Sequence, residues 1–232
     1  MAADARHVEL QAPRRLRVVL VAVGVSLLVA ATAAAGGAPG LEQVHLTAAD
    51  QAAARAAVVT RSDLGPGWTG GAKKPAAPSN PDCGGYSPKQ SDLVITGDAE
   101  TDYKQPGLEI DSEAQVLRTA RMVALDWQRS VVPPQVVPCL KRLASRGAPS
   151  SEQIVSVGRV SFPHVARYSA AFRIAIDVTA SGSTVRLHLD IVLVGSGRTE
   201  LDLAFTYPAA AAAAMRPAEV RIARLLASRA HA

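Results

Sequence analysis

The chain has 232 residues and a formal net charge of +5, with 48% hydrophobic but only 4% aromatic residues. The part after Gly37 holds 21 basic and 18 acidic residues, which gives +3, and this charge is too small to predict binding to nucleic acid. That part is long enough for one domain with a hydrophobic core. It contains no recognised catalytic, metal-binding or cofactor-binding motif, so we predict neither a cofactor nor a metal.

The first segment predicts export across a membrane. Residues 1–17 form a basic n-region, with Arg14, Arg15 and Arg17 directly before an uncharged apolar run at 18–35. This order leaves the basic end in the cytoplasm and sends the following residues outside. The length of the run lies between that of a cleaved signal peptide and that of a spanning helix. Residues 18–38 are therefore interpreted as either a signal peptide or a signal anchor.

Residues 39–232 are then one extracytoplasmic domain, held at the cell membrane by the N-terminal helix or secreted after cleavage. Its first predicted element is an alanine-rich helix over 48–60, because Thr47 and Asp50 stand at capping-box spacing. The sequence D-L-G-P-G-W at 63–68 ends this helix, and residues 70–89 are predicted to be a long loop rich in Pro and Gly.

The next segment is acidic. Asp98, Glu100, Asp102 and Glu109 have the spacing of calcium-loop positions one, three, five and twelve, but Tyr103 stands where the sharp turn needs glycine. We therefore interpret this segment as a solvated acidic loop.

Two helices are predicted in the middle of the chain, over 119–130 and 134–145, separated by Pro133 and Pro134. The second helix carries Cys139, and Cys83 lies in the long loop. A single pair of cysteines in an exported chain, without C-x-x-C spacing, predicts a Cys83–Cys139 disulfide.

Alternating apolar residues predict strands over 108–116, 154–162, 168–178, 185–193 and 201–207, and a last helix is predicted over 217–229 with Pro217 in its first turn. The last three strands form an antiparallel meander with one apolar and one water-facing polar face. The fold class is α+β: an antiparallel sheet of about five or six strands packed by helices.

The hairpin turn at Ser181-Gly182 predicts a register in which the numbers of facing residues sum to 363. Arg173 then faces Asp190 on the polar side, and a slip of one residue would expose the apolar side chains.

An alanine-rich helix that leads into D-L-G-P-G-W is typical of exported actinobacterial domains. A middle helix with Cys139, a strand meander and a last helix rich in Ala and Arg continue the pattern. In this order of elements, residues 46–230 resemble the extracellular sensor domain of PknH-type mycobacterial serine/threonine kinases and its stand-alone exported relatives. The resemblance implies an antiparallel sheet against helices, with a cleft for an unidentified ligand. That family usually carries two disulfides, whereas this chain has cysteines for one.

Four aromatic residues are candidates for lining an apolar ligand cleft: Trp68, Tyr86, Tyr103 and Trp127. The sequence thus favours a non-enzymatic, sensor-like domain that binds a small ligand or an envelope protein. Two alternatives stay open, namely an envelope hydrolase that uses His188 and Asp190, and a structural assembly protein of the envelope.

Overall fold

A computed structural model of the protein describes residues 40–79, 83–146 and 148–230. The predictions for the n-region and for the signal or anchor segment at 18–38 lie outside the described residues. Within the described ranges, no helix combines the length and the apolar character needed to cross a bilayer.

The described strands form one mixed eight-stranded sheet in the order β1-β3-β4-β8-β7-β6-β5, with β2 also paired to β3. Their bounds are β1 Gln43–Val44, β2 Thr69–Lys73, β3 Val94–Gln105, β4 Leu108–Leu117, β5 Glu152–Val160, β6 Tyr168–Ala180, β7 Ser183–Ser196 and β8 Thr199–Pro208. The α+β class is confirmed, but the predicted strand count is too low because β1, β2 and β3 were missed. The sheet is mixed because β1 pairs with β3 in parallel, while the other neighbours are antiparallel.

The helices are α1 Ala48–Ala57, α2 Arg61–Leu64, α3 Ala120–Asp126, α4 Val136–Arg146 and α5 Ala212–Ala230. A five-residue π-helical turn, Trp127–Val131, continues directly from α3. The caps follow the sequence: the Thr47 side chain accepts a hydrogen bond from the Asp50 amide, and that of Thr119 accepts one from the Met122 amide. The last helix begins five residues before Pro217, so the prediction that Pro217 occupies its first turn is wrong.

One face of the sheet is covered by α1 and α5, and the main core lies between these layers. Phe205 and Tyr207 of β8 and Ile222 and Leu226 of α5 are among its fully buried side chains. Their burial contributes on the order of 1.5–3 kcal/mol for each aliphatic or phenyl side chain. This layer holds the long β7–β8 hairpin in place and fixes which side chains point to the opposite face.

The opposite face of the sheet has two halves of different chemistry. Over β6 and β7 it is apolar, and Phe172 packs there with Val131 and Val136 under the π-helical turn and α4. Over β3, β4 and β8 the same face carries mainly carboxylates. The two halves meet between β8 and β7.

The D-L-G-P-G-W motif joins the last helix to the first. Asp63 Oδ2 accepts hydrogen bonds from the Thr60 amide and hydroxyl, and its carboxylate also pairs with Arg229 near the end of α5. Gly65 and Gly67 have φ of +84° and +90°, values that favour glycine. Trp68 then enters the core, where it is 7% exposed. These contacts assign the motif a structural role.

The predicted register of the first meander hairpin is confirmed. Arg173 faces Asp190, and Ser181 and Gly182 turn the chain with positive φ. The prediction of a water-facing polar face is wrong at this pair, because α5 covers it and Asp190 is 0% exposed.

Candidate functional site

A cavity of about 260 Å³ lies where the acidic half of the sheet meets the π-helical turn. The sheet contributes Glu113 from β4 and Glu200 and Asp202 from β8, while Asp126 and Trp127 line the cavity from the end of α3 and the turn. Leu193 and Val131 form its apolar wall. The alternation of side chains along β4 and β8 explains the carboxylates, because every second residue points to this face.

The register brings these carboxylates together. Glu113 lies directly opposite Asp202 on β8 and opposite Glu100 on β3, so three acidic residues face one another on adjacent strands. Like charges in facing positions destabilise a sheet. Among the described residues, Lys73 forms an ion pair with Glu100, with 2.8 Å between Nζ and Oε1, but no Lys or Arg pairs with Glu113 or Asp202.

Proton affinities at the site are raised. Burial, followed by repulsion from neighbouring carboxylates, raises the pKa of Glu113 to about 8 and that of Glu42 at the cavity rim to about 7. Burial also raises the pKa of Glu200 well above its usual range. Several of these groups therefore exchange protons near neutral pH.

A pair of carboxyl groups forms one end of the cavity. The contact between them raises the pKa of Glu200 and lowers that of Asp126, as expected when a protonated Glu200 donates to Asp126. Asp126 Oδ1 also accepts a hydrogen bond of 2.7 Å from the Ser130 hydroxyl. Glu200 Oε1 is buried and accepts no hydrogen bond from any described residue. The π-helical turn places Ser130 and Asp126 on the same side, and such turns recur at functional sites.

Trp127 forms the aromatic wall of the cavity, and contacts on both sides hold this wall in place. The indole of Trp127 stacks on the Tyr168 ring, with 5.3 Å between centroids and 28° between planes. The Tyr86 hydroxyl donates to the Arg129 carbonyl at 2.6 Å, and the Arg129 guanidinium binds Asp92 through both of its oxygens. These contacts tie the loop around residue 90 to the turn.

The predicted disulfide is present: Cys83 is bonded to Cys139, with Cα atoms 5.1 Å apart. Arg142 on α4 also donates to the Cys83 carbonyl. The bond therefore fastens α4 to the same loop that Tyr86 ties to the π-helical turn.

Of the four aromatic candidates, Trp127 lines the cavity and Tyr86 packs in the cluster that contains it. Trp68 and Tyr103 lie in the core with α1 and α5, on the other face of the sheet, where they are 7% and 6% exposed. The four do not form one cleft.

The prediction of a solvated acidic loop is wrong, since Asp98, Glu100 and Asp102 lie on β3. Asp102 does come close to Glu109 and Asp111, with one oxygen from each within 4.8 Å of the others. The amino group of Lys104 is 2.7 Å from Glu109 Oε1 and 3.4 Å from Asp102 Oδ2, and so already compensates this cluster.

His188 and Asp190, the candidate hydrolase residues, do not form a dyad in which the Asp orients the His toward a nucleophile. Arg173 binds both oxygens of Asp190, at 2.7 and 2.6 Å, and the Tyr207 hydroxyl donates to Oδ2 at 2.8 Å. Burial opposes ionisation of Asp190, but these hydrogen bonds outweigh it and lower its pKa. His188 Nδ1 is buried and has no hydrogen-bond partner among the described residues. Asp190 therefore orients Arg173, and it does not orient His188 toward a nucleophile.

Sequence reasoning missed Glu42, Asp126, Glu200 and Asp202. The alternation of acidic residues in β4 indicated a polar face, but nothing in it showed which strands would lie beside that face.

A scan of the chain against protein-family models gives no match, and a search of curated proteins gives none either.

Proposed function

We propose that this protein is a non-enzymatic, extracytoplasmic binding domain of the cell envelope, and that its ligand occupies the cavity between the acidic sheet and the π-helical turn. The observation that supports this function is the combination of uncompensated carboxylates with an aromatic and aliphatic wall in one cavity of about 260 Å³. Cavities that bind small molecules usually combine an apolar lining with a few polar groups. The volume suits a ligand smaller than a typical drug molecule.

The carboxylates of the cavity lower the stability of the sheet, and this loss of stability supports a binding role. Facing carboxylates such as Glu113 and Asp202 destabilise the sheet, and a purely structural surface gains nothing from them. Such locally unfavourable arrangements concentrate at functional sites. Glu200 Oε1 is buried without a hydrogen-bond partner among the described residues, and this further lowers the stability.

The extracytoplasmic location rests on two features, the export segment of the sequence and the Cys83–Cys139 bond. The apolar N-terminal segment, if it is not cleaved, would hold the chain at the membrane. A fusion of residues 1–45 to a reporter that is active only outside the cytoplasm tests this part. Activity in the membrane fraction indicates an anchor, activity in the medium indicates cleavage, and absence of activity contradicts export.

The binding role can be tested with a library that contains small cations, anions and neutral compounds in equal number, screened by ligand-observed NMR. We expect saturable binding of at least one compound, which is recovered chemically unchanged after incubation. Gln115→Phe places a ring in the cavity and should abolish binding. Thr206→Phe is the matched control, because it lies on the same sheet face in β8 but does not line the cavity. Binding that survives Gln115→Phe, or conversion of the bound compound, would contradict the proposal.

A further inference from the structure

The cavity has a charge that the described part of the chain does not balance. Glu42, Glu113, Asp126, Glu200 and Asp202 line it, and none of them forms an ion pair with a described Lys or Arg. The nearest guanidinium on the same turn, that of Arg129, is already bound to Asp92 through both oxygens. At neutral pH Asp202, with a pKa of about 6, is mainly ionised, whereas burial keeps Glu113 and Glu200 mainly protonated. An entering cation therefore meets carboxyl oxygens and a negative charge that increases as it displaces these protons.

The electrostatic attraction between an entering cation and these carboxylates is stronger than it would be in bulk water. Low-dielectric walls concentrate the field of like charges in a cleft and raise the local concentration of counter-ions. An ionised carboxylate only accepts hydrogen bonds, so the complementary group is one that donates several, and an ammonium group has three donors. Glu113 and Asp202, which face each other across adjacent strands, suit such a group.

A bare metal ion fits the cavity less well than an organic cation. Calcium requires six to eight oxygens at about 2.3–2.6 Å, so several carboxylates must converge on one point. Among the described residues, one group of three brings its oxygens within 4.8 Å of one another, and this is Asp102, Glu109 and Asp111. That group lies outside the cavity and is compensated by Lys104 and Lys73. The carboxylates of the cavity are spread over its walls.

The remaining wall suits a carbon skeleton. Trp127 and Val131 bring an indole and an aliphatic side chain from the π-helical turn, and Leu193 on β7 lies beside Asp202 in the sheet. An indole face also attracts cations, by roughly 0.5 kcal/mol or more. Tyr168 stacks on the indole and keeps it in place.

We infer that the ligand is a small organic cation that carries one or more primary ammonium groups on an apolar body. This inference rests on the proposed function, because it assigns a ligand class to the same cavity. It commits the site to amines and against metal ions, anions and neutral polar molecules.

The test uses isothermal titration calorimetry on the disulfide-bonded protein at low and at physiological ionic strength. The probes are n-butylamine, 1,4-diaminobutane, spermidine and tyramine. 1,4-Butanediol, succinate, calcium chloride and magnesium chloride serve as neutral, anionic and metal comparisons. We expect at least one amine to bind with one molecule per chain, and to bind more weakly as salt increases.

The variants Glu113→Gln and Asp202→Asn remove carboxylates that a bound ammonium group would keep ionised. Each should weaken amine binding by at least about tenfold, as expected for a hydrogen bond to a charged group. Both remove repulsion, so we expect them to fold. Glu109→Gln is the matched control on the same strand and face, since Glu109 is paired with Lys104 outside the cavity. It should change amine affinity by less than about twofold, in line with an exposed pair.

The outcomes separate this inference from the function on which it rests. Binding of 1,4-butanediol or succinate that Gln115→Phe abolishes, without binding of any amine, overturns the amine class and leaves a ligand-binding domain. Calcium or magnesium binding that Glu113→Gln abolishes, again without an amine, overturns it in favour of a metal site. Absence of binding by every probe overturns the amine class, and absence of any hit in the NMR library then overturns the binding function itself.

Discussion

Replacement of Glu113 by Gln should make the protein more stable, and the gain should grow with pH. The pKa of Glu113 is about 8 in the folded protein, against 4.5 for the ordinary side chain, and burial is the main cause. The folded state thus prefers the protonated form. The stability that protonated Glu113 contributes is fully present below about pH 4.5 and is lost as pH rises through about 8.

The size of the effect follows from this difference. One unit between folded and unfolded pKa values corresponds to about 1.4 kcal/mol. The raised pKa of Glu113 therefore lowers the free energy of unfolding by up to about 5 kcal/mol at pH 9, and by about 3 kcal/mol at pH 7, where the folded state holds a proton that the unfolded chain releases. Relaxation of neighbouring side chains reduces these values. We expect Glu113→Gln to raise the free energy of unfolding by about 1–3 kcal/mol at pH 7, by more at pH 9, and by almost nothing at pH 4.5.

Urea unfolding of the oxidised protein at these three pH values, followed by circular dichroism, measures the effect. Glu109→Gln is again the matched control. Glu109 lies on the same strand and face but binds Lys104 at 2.7 Å, so its neutralisation should give no gain and a loss of at most about 1 kcal/mol. A gain for Glu113→Gln that is equal at pH 4.5 and pH 9, or a loss at pH 9, would refute the argument that ionised Glu113 is destabilising.

Three further variants test the structural contacts. Conversion of both Cys83 and Cys139 to Ala should lower the free energy of unfolding by about 2–5 kcal/mol in urea titration, and an unchanged midpoint would contradict a native disulfide. Asp63→Asn removes a charge whose pKa of about 2 reflects hydrogen bonds from Arg229 and Thr60 that outweigh burial; we expect a loss of about 1–3 kcal/mol at pH 7 that disappears by pH 2. Arg173→Met leaves the Asp190 carboxylate buried without its guanidinium, and should cost about 3–5 kcal/mol, whereas a loss below 1 kcal/mol would show that Tyr207 alone suffices.

The meander could be predicted from the sequence because its information is local. Apolar residues stand at every second position from Tyr168 to Val178 and from Val185 to Leu193. Ser181-Gly182 supplies the positive φ values that a two-residue hairpin turn needs. The turn and the alternation fix one register, and the structure has that register. The Thr47 cap was likewise evident from four consecutive residues.

The third strand could not be recognised in this way. Asp98, Glu100 and Asp102 have low strand propensity. They lie in a strand because β3 pairs with β4 on one side and with β2 on the other. The cavity was missed for a related reason. Asp126 and Glu200 are far apart in sequence and meet only when the π-helical turn packs over β8. No local sequence pattern predicts this contact. The raised pKa values of the two residues arise only in the folded protein, where burial desolvates both.

The position of the Cys83–Cys139 bond links the aromatic wall of the cavity to the oxidation state of the chain. The bond fastens α4 to the loop that Tyr86 joins to the aromatic wall. Until the two thiols are oxidised, this wall is held to the sheet by packing and hydrogen bonds alone. The reduced protein should therefore hold the wall less firmly than the oxidised protein. If the chain is exported and binds a ligand as proposed, its cavity would reach its final form only after oxidation outside the cytoplasm.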